Sequence, residues 1–153
     1  TPKAKHIRLQ IEAKTVPRYA NELHAPETIS KAIGDLAQKY GLIDRIVIQS
    51  FDHRVVVAAK KILPSIRTAA LLAPNFPDWL SVIKSTHADV LSPHLDWVTK
   101  EAVAAAHKIG TKVVPYTANT EADWEYLISC GVDGIITDDP KALLSFLRSR
   151  RLR

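Results

Sequence analysis

Glu12 and Lys14 are two residues apart in a stretch that alternates apolar and polar, so they share one side of an extended strand. A carboxylate beside an ammonium can serve a divalent metal and a phosphate together, or it can be a plain ion pair between strand-end residues. Spacing alone leaves both readings open, although burying such a pair without a ligand is costly. Other polar residues close apolar, β-branched runs in the same way. They are Gln49, Ser50 and Asp52 with Phe51, then Ser92 and His94, then Tyr116, Thr117 and Asn119, then Thr137 with Asp138. In a parallel βα fold the polar residues at the C-terminal ends of strands form the site whatever the reaction, so these residues make a short list.

The elements that must position them follow from periodicity. His6–Ala13 sets Ile7, Leu9 and Ile11 against Arg8, Gln10 and Glu12, the period of a strand. Thr28–Tyr40 is expected to be a helix capped by Thr28 or Ser30, with a stripe of Ile29, Ile33, Leu36 and Ala37 and with Gly41 at its end. Strands follow at Arg45–Ser50, Arg67–Leu72, Ala88–Ser92, Lys112–Tyr116 and Gly134–Thr137. They alternate with helices at His53–Leu63, Asp78–Ser85, Thr99–Ile109, Glu121–Cys130 and Pro140–Arg150, the last capped by Asp138 or Asp139. Six strands, each followed by a helix, mean an α/β protein with a parallel sheet covered by helices. No Gly-x-Gly-x-x-Gly follows the first strand, which favours a (β/α)8 TIM barrel over an open nucleotide-binding sheet. A full barrel takes about 250 residues, so the pattern reads as a partial barrel of about six βα units, a single domain over 1–153.

Composition excludes several classes. The chain has 153 residues, 46% hydrophobic and 24% charged, enough to bury a core without low-complexity character. The net charge of +5 comes partly from Arg148, Arg150, Arg151 and Arg153, a tail that reads as a solvated end able to touch acidic lipid headgroups. Elsewhere bases and acids are mixed, which argues against nucleic acid as a partner. The single cysteine, Cys130, excludes an internal disulfide and reads as an inert core thiol. No run approaches the roughly 18 apolar residues of a transmembrane segment, and no signal-peptide pattern is present. The chain opens Thr1-Pro2-Lys3 without Met, as a processed product or an internal piece of something longer would.

Five motifs then occur in order. They are Ile11-Glu12-Ala13-Lys14, Ile48-Gln49-Ser50-Phe51-Asp52, Leu71-Leu72, Val113-Val114-Pro115-Tyr116-Thr117-Ala118-Asn119, and Gly131 through Pro140. Together, from about Ile7 to Leu147, they resemble the C-terminal part of the glycerophosphodiester phosphodiesterase family, whose barrel is related to the phosphoinositide-specific phospholipases C. The resemblance implies metal-dependent hydrolysis of a glycerophosphodiester to glycerol phosphate and an alcohol, a reaction of lipid metabolism. It implies that Glu12 completes a site for Ca²⁺ or Mg²⁺ and that Lys14 neutralises the phosphodiester. Phe51 and Tyr116 match positions lining the glycerol pocket, where the family usually has Trp in place of Tyr116. His94 falls where the family has variable substrate-facing residues. The family strand usually reads Glu-Ile-Lys, and Ala13 replaces its large outward side chain.

The family's His-Arg motif, its further acidic metal ligands and its second catalytic His are not found in this chain. His53-Arg54 stands elsewhere and is expected to begin a helix. The isolated chain is therefore expected to be inactive, and to hydrolyse when the missing strands are supplied. The alternative is a truncated, non-catalytic barrel that binds or oligomerises, a homodimer closing the barrel between two copies. His107 is expected to be structural, at a helix C-terminus, and Trp79 and Trp97 to pack in the core or at its rim.

Overall fold

A computed structural model describes residues 6–74 and 77–152; the opening Thr1-Pro2-Lys3 and the last arginine of the basic tail, Arg153, lie outside them. The described residues form five strands and six α-helices in strict alternation at the start: β1 (Leu9–Glu12), α1 (Pro26–Lys39), β2 (Ile46–Ser50), α2 (His53–Ile62), β3 (Arg67–Leu71), α3 (Trp79–Thr86), β4 (Val90–Ser92), α4 (Lys100–Lys108), β5 (Lys112–Val113), α5 (Glu121–Cys130) and α6 (Pro140–Ser149). The sheet runs in chain order, β1-β2-β3-β4-β5. β1 pairs parallel with β2, Glu12 opposite Gln49, and β2 pairs parallel with β3, Gln49 opposite Ala69. No helix among the described residues is long and apolar enough to cross a membrane.

Two compact units can be described separately. The first runs to Leu71 and takes in Ser81–Val90; the second comprises Leu72–Leu80 and the chain from Leu91 onward. The core of the first joins Ala13, Ala37, Ile46, Ile48, Val55, Ala59 and Ile66. Ile46 and Ile48 alternate with Val47 and Gln49, so one face of β2 meets the helices and the other does not. Ala13 belongs to this core. Lys60 Nζ ends on Asp89 at 2.6 Å and donates to the Ile66 carbonyl at 3.1 Å.

Two expectations about α1 are corrected. The helix begins at Pro26 after an extended Ala25 and has no side-chain cap, because proline at the first position is already set for helical φ. Ser30, expected as a cap, is buried and donates instead to the Val55 carbonyl of α2 at 3.2 Å. Leu36, expected in the buried stripe, is 55% exposed. The buried line is Pro26, Ser30, Gly34 and Ala37, small residues that let α1 lie close against α2.

In the second unit α5 and α6 pack through Trp124 and Phe146, ring centroids 5.4 Å apart, and Trp124 donates to the Ala118 carbonyl at 2.8 Å. Asp139 caps α6 by accepting from the Ala142 N–H, as expected. The sixth strand expected over Gly134–Thr137 is not a regular strand. Asp133 and Ile136 donate to Val113 and Pro115, and Ala118 donates to Ile136, so three steps on one side face two on the other. Pro115 has no N–H to give, which leaves the ladder incomplete there. The turn after α5 is made by Gly131 at φ +82, a conformation that strains any residue with a Cβ.

Candidate active site

Glu12 ends β1, and the ladder continues one step past it through Ala13 N–H to Gln49 O at 2.9 Å. That extension carries Lys14 to the same side as Glu12, with Nζ 3.9 Å from Glu12 Oε1. The pair is open to solvent: the side chains are 79% exposed for Lys14 and 31% for Glu12. An exposed, loose pair is worth little in water, so exchanging the carboxylate for another anion costs Lys14 little.

The loop after β2 is fixed by a chain of polar contacts. Ser50 donates to the Ala13 carbonyl at 2.6 Å and accepts from the Asp52 N–H at 3.0 Å. Asp52 accepts from Thr15 Oγ1 at 2.7 Å, from Arg54 Nη2 at 2.6 Å, and from the Arg54 backbone N–H, which makes it the cap of α2. The Arg54 hydrogen bonds, opposed by burial and assisted by Thr15, hold the pKa of the Asp52 carboxyl down to about 2. Asp52, one of the strand-end residues that sequence picks out, is thus spent on structure. His53 begins α2 as expected, its Nε2 2.9 Å from the Leu71 carbonyl. Between these anchors Phe51 stands 49% exposed. Glu12, Lys14, Thr15, Val16, Phe51 and Asp52 line a cleft of about 310 Å³.

In the second unit His94 and Tyr116 come together. They form a parallel bridge, and their rings meet edge to face at 5.6 Å. Tyr116 Oη donates to the Leu72 carbonyl at 2.7 Å, which fixes the ring. His94 Nδ1 lies 3.3 Å from the Asp96 carboxylate. Asn119 Nδ2 donates to Asp138 at 2.8 Å, and its Oδ1 accepts from Thr137 and from the Asp138 N–H, so these polar strand ends close on one another. Ser92 Oγ is fully buried and has no hydrogen-bond partner among the described residues. His107 is structural as expected, its Nε2 2.8 Å from an Asp133 oxygen that also accepts the Val113 N–H. Asp133 carries no signal in the sequence, because its partners lie 20 and 26 residues away. Trp79 is buried, whereas Trp97 sits at the rim.

A divalent cation needs several oxygen ligands. Among the described residues no group of three or more His, Cys, Asp and Glu is placed to hold one. Glu12 alone, with Asp52 committed to Arg54 and Thr15, does not make a complete site.

A family model for glycerophosphoryl diester phosphodiesterases matches residues 4–142. The chain belongs to the glycerophosphoryl diester phosphodiesterase family. A glycerophosphodiester phosphodiesterase of Caldanaerobacter subterraneus is 32% identical over 122 residues, covering 80% of this chain and 49% of the relative. A protein of Silicibacter pomeroyi described as a glycerophosphoryl diester phosphodiesterase matches with a TM-score of 0.83 at 27% identity, over 95% of this chain and 52% of that one. A phosphodiesterase of Oleispira antarctica, solved with the product sn-glycerol-3-phosphate, shares the fold at a TM-score of 0.79 and 20% identity, over 92% of this chain and 55% of its own. This member of the family therefore has the α/β fold of the phosphodiesterase TIM barrel in partial form, and it spans about half the length of the curated relatives it matches.

Proposed function

We propose that this chain supplies the Glu12–Lys14 part of a glycerophosphodiester phosphodiesterase site, acting in hydrolysis to glycerol phosphate and an alcohol once the remaining barrel strands are present. The observation that carries the reading is Lys14 beside Glu12 over a cleft walled by Phe51. In the reaction a water oxygen attacks phosphorus and the bond to the alcohol oxygen breaks, with one proton passing from water to the leaving oxygen. Negative charge grows on the phosphoryl oxygens meanwhile, and the ammonium of Lys14 stabilises it. Glu12 is proposed as one oxygen ligand of a divalent ion, Ca²⁺ or Mg²⁺, in line with the family's general dependence on metal; the described residues do not supply the others. Phe51 in the first unit is proposed as a substrate contact, and so, separately, are His94 and Tyr116 in the second. The product found in the Oleispira antarctica protein supports a glycerol phosphate moiety as the group recognised. In the alternative, non-catalytic reading, a second copy of the chain is proposed to pair along the open edge of β1, where Ile7 and Leu9 are exposed.

The test is hydrolysis of glycerophosphocholine by the protein completed with the missing barrel strands, and by its variants. Lys14→Ala and Glu12→Gln are each expected to lower kcat/KM about 10²- to 10³-fold. Unchanged turnover in either variant overturns the assignment. Binding of sn-glycerol-3-phosphate without any turnover favours the non-catalytic binding module instead.

A further inference from the structure

The face of the β1–β2 pair turned away from the helices is polar one layer below Glu12. Ile11, Ala13, Ile46 and Ile48 pack into the core of the first unit, so the alternate residues Gln10, Glu12 and Lys14 on β1, and Val47, Gln49 and Phe51 on β2, lie on the opposite face. The register sets Glu12 directly beside Gln49 and Gln10 beside Val47. Neighbouring strands are about 4.8 Å apart, so the Glu12 and Gln49 side chains start within reach of each other. Across this pair Gln10 Nε2 donates to Gln49 Oε1.

That bond has a direction. A carboxamide carries its acceptor and its donors on opposite sides. With Gln49 Oε1 held by Gln10 from the layer below, the Gln49 N–H groups remain to donate, and the residue opposite Gln49 in the register is Glu12; the bond between the two is the step proposed, not one the structure forms. A carboxylate only accepts, and a donor is what it lacks on that side. Its ionic neighbour, Lys14, is at 3.9 Å, beyond hydrogen-bond length.

We propose that Gln10 and Gln49 form a relay that positions Glu12: Gln10 donates to Gln49, and Gln49 donates to the Glu12 carboxylate. Gln49 is then a positioning residue for the proposed phosphodiesterase site and acts through Glu12, and the part of the inference that concerns turnover rests on that reading. The relay leaves Lys14 to the phosphodiester, because the carboxylate has a neutral partner of its own.

Two measurements test it. The first needs no activity. The side-chain amide ¹H–¹⁵N resonances of Gln49 are expected to shift on Glu12→Gln and again on Gln10→Leu, because each substitution removes one end of the relay. Resonances unmoved by both overturn the relay, whatever the protein catalyses. The second is a double-mutant cycle on glycerophosphocholine hydrolysis by the protein completed with the missing barrel strands. Gln49→Ala is expected to lower kcat about tenfold with KM little changed, and Gln49→Glu, which has the same size but sets a second carboxylate against Glu12, is expected to lower it further. In a Glu12→Gln background the Gln49→Ala effect is expected to vanish. Equal losses from Gln49→Ala with and without Glu12, or a Gln49→Glu variant as active as wild type, overturn a role exerted through Glu12. Shifted resonances together with hydrolysis indifferent to Glu12 uphold the relay and remove the phosphodiesterase reading.

Discussion

A carboxylate that accepts from Thr15, from the Arg54 guanidinium and from the Arg54 backbone N–H is held ionised by all three, and the pKa of Asp52 is accordingly lowered to about 2. Its folded value lies below the ordinary unfolded value of about 3.9. The stability it contributes is therefore fully present above about pH 4 and is lost as pH falls from there through about 2. A tenfold change in proton affinity corresponds to about 1.4 kcal/mol, and Arg54 is half exposed, so the contribution is discounted to about 1–2 kcal/mol. Urea unfolding at pH 7 and pH 2.5 checks it: Asp52→Asn is expected to lose that much at pH 7 and to show a smaller drop on acidification than wild type. A wild-type drop fully kept by Asp52→Asn removes Asp52 as its source. This residue also shows what sequence could and could not convey about the site. Strand-end position selected Glu12, Lys14, Phe51, Asp52, His94 and Tyr116 alike, because it depends only on local period. Which carboxylate stays available was decided by Thr15, 37 residues from Asp52 in the chain, and by the exposure of Lys14, neither of which has a local signature.

Helix α5 is the element most completely written into its own residues. Thr120 Oγ1 accepts from the Asp123 N–H at 3.2 Å, and Asp123 accepts from the Thr120 N–H at 3.2 Å, a reciprocal cap at one end, while Gly131 turns the chain at the other. Both stops lie within the segment, and sequence and structure agree on Glu121–Cys130 to the residue. Thr120→Ala is expected to destabilise the protein by about 1 kcal/mol in urea unfolding, and Thr120→Ser to retain most of that. Similar losses from both variants point away from the cap and toward packing of the Thr methyl group. Where an element depended on distant partners, the sequence said less. The start of α1 is displaced from its expected place because Ser30 answers to Val55 and not to its own helix end. The segment 134–137 has the composition of a strand, yet its ladder depends on what 113–118 can donate, and Pro115 donates nothing.

The order β1-β2-β3-β4-β5 puts β1 at an end of the sheet among the described residues, with Ile7 and Leu9 exposed and one row of backbone groups facing no neighbouring strand. Exposed apolar edges associate unless something blunts them. The Arg45 guanidinium takes the Ile7 carbonyl at 2.6 Å on the side of β1 that faces β2, so that bond does not cover the open row. Two copies each carrying +5 also repel over distances that salt screens, since the Debye length is about 10 Å at 0.1 M and shorter above it. The apolar edge and the net charge therefore act in opposite directions, and ionic strength separates them. Sedimentation is expected to give twice the chain mass, with the dimer tightening as salt rises from about 0.05 to 0.5 M. Leu9→Lys is expected to return the single-chain mass at every salt concentration, because it sets a further positive charge on each copy at the edge itself. A wild-type chain that stays single across that range removes the second copy as the partner of β1. A dimer untouched by Leu9→Lys moves the interface to another surface. A dimer that loosens as salt rises would mean that opposite charges hold it, and since Ile7 and Leu9 are apolar, that too would place the contact elsewhere.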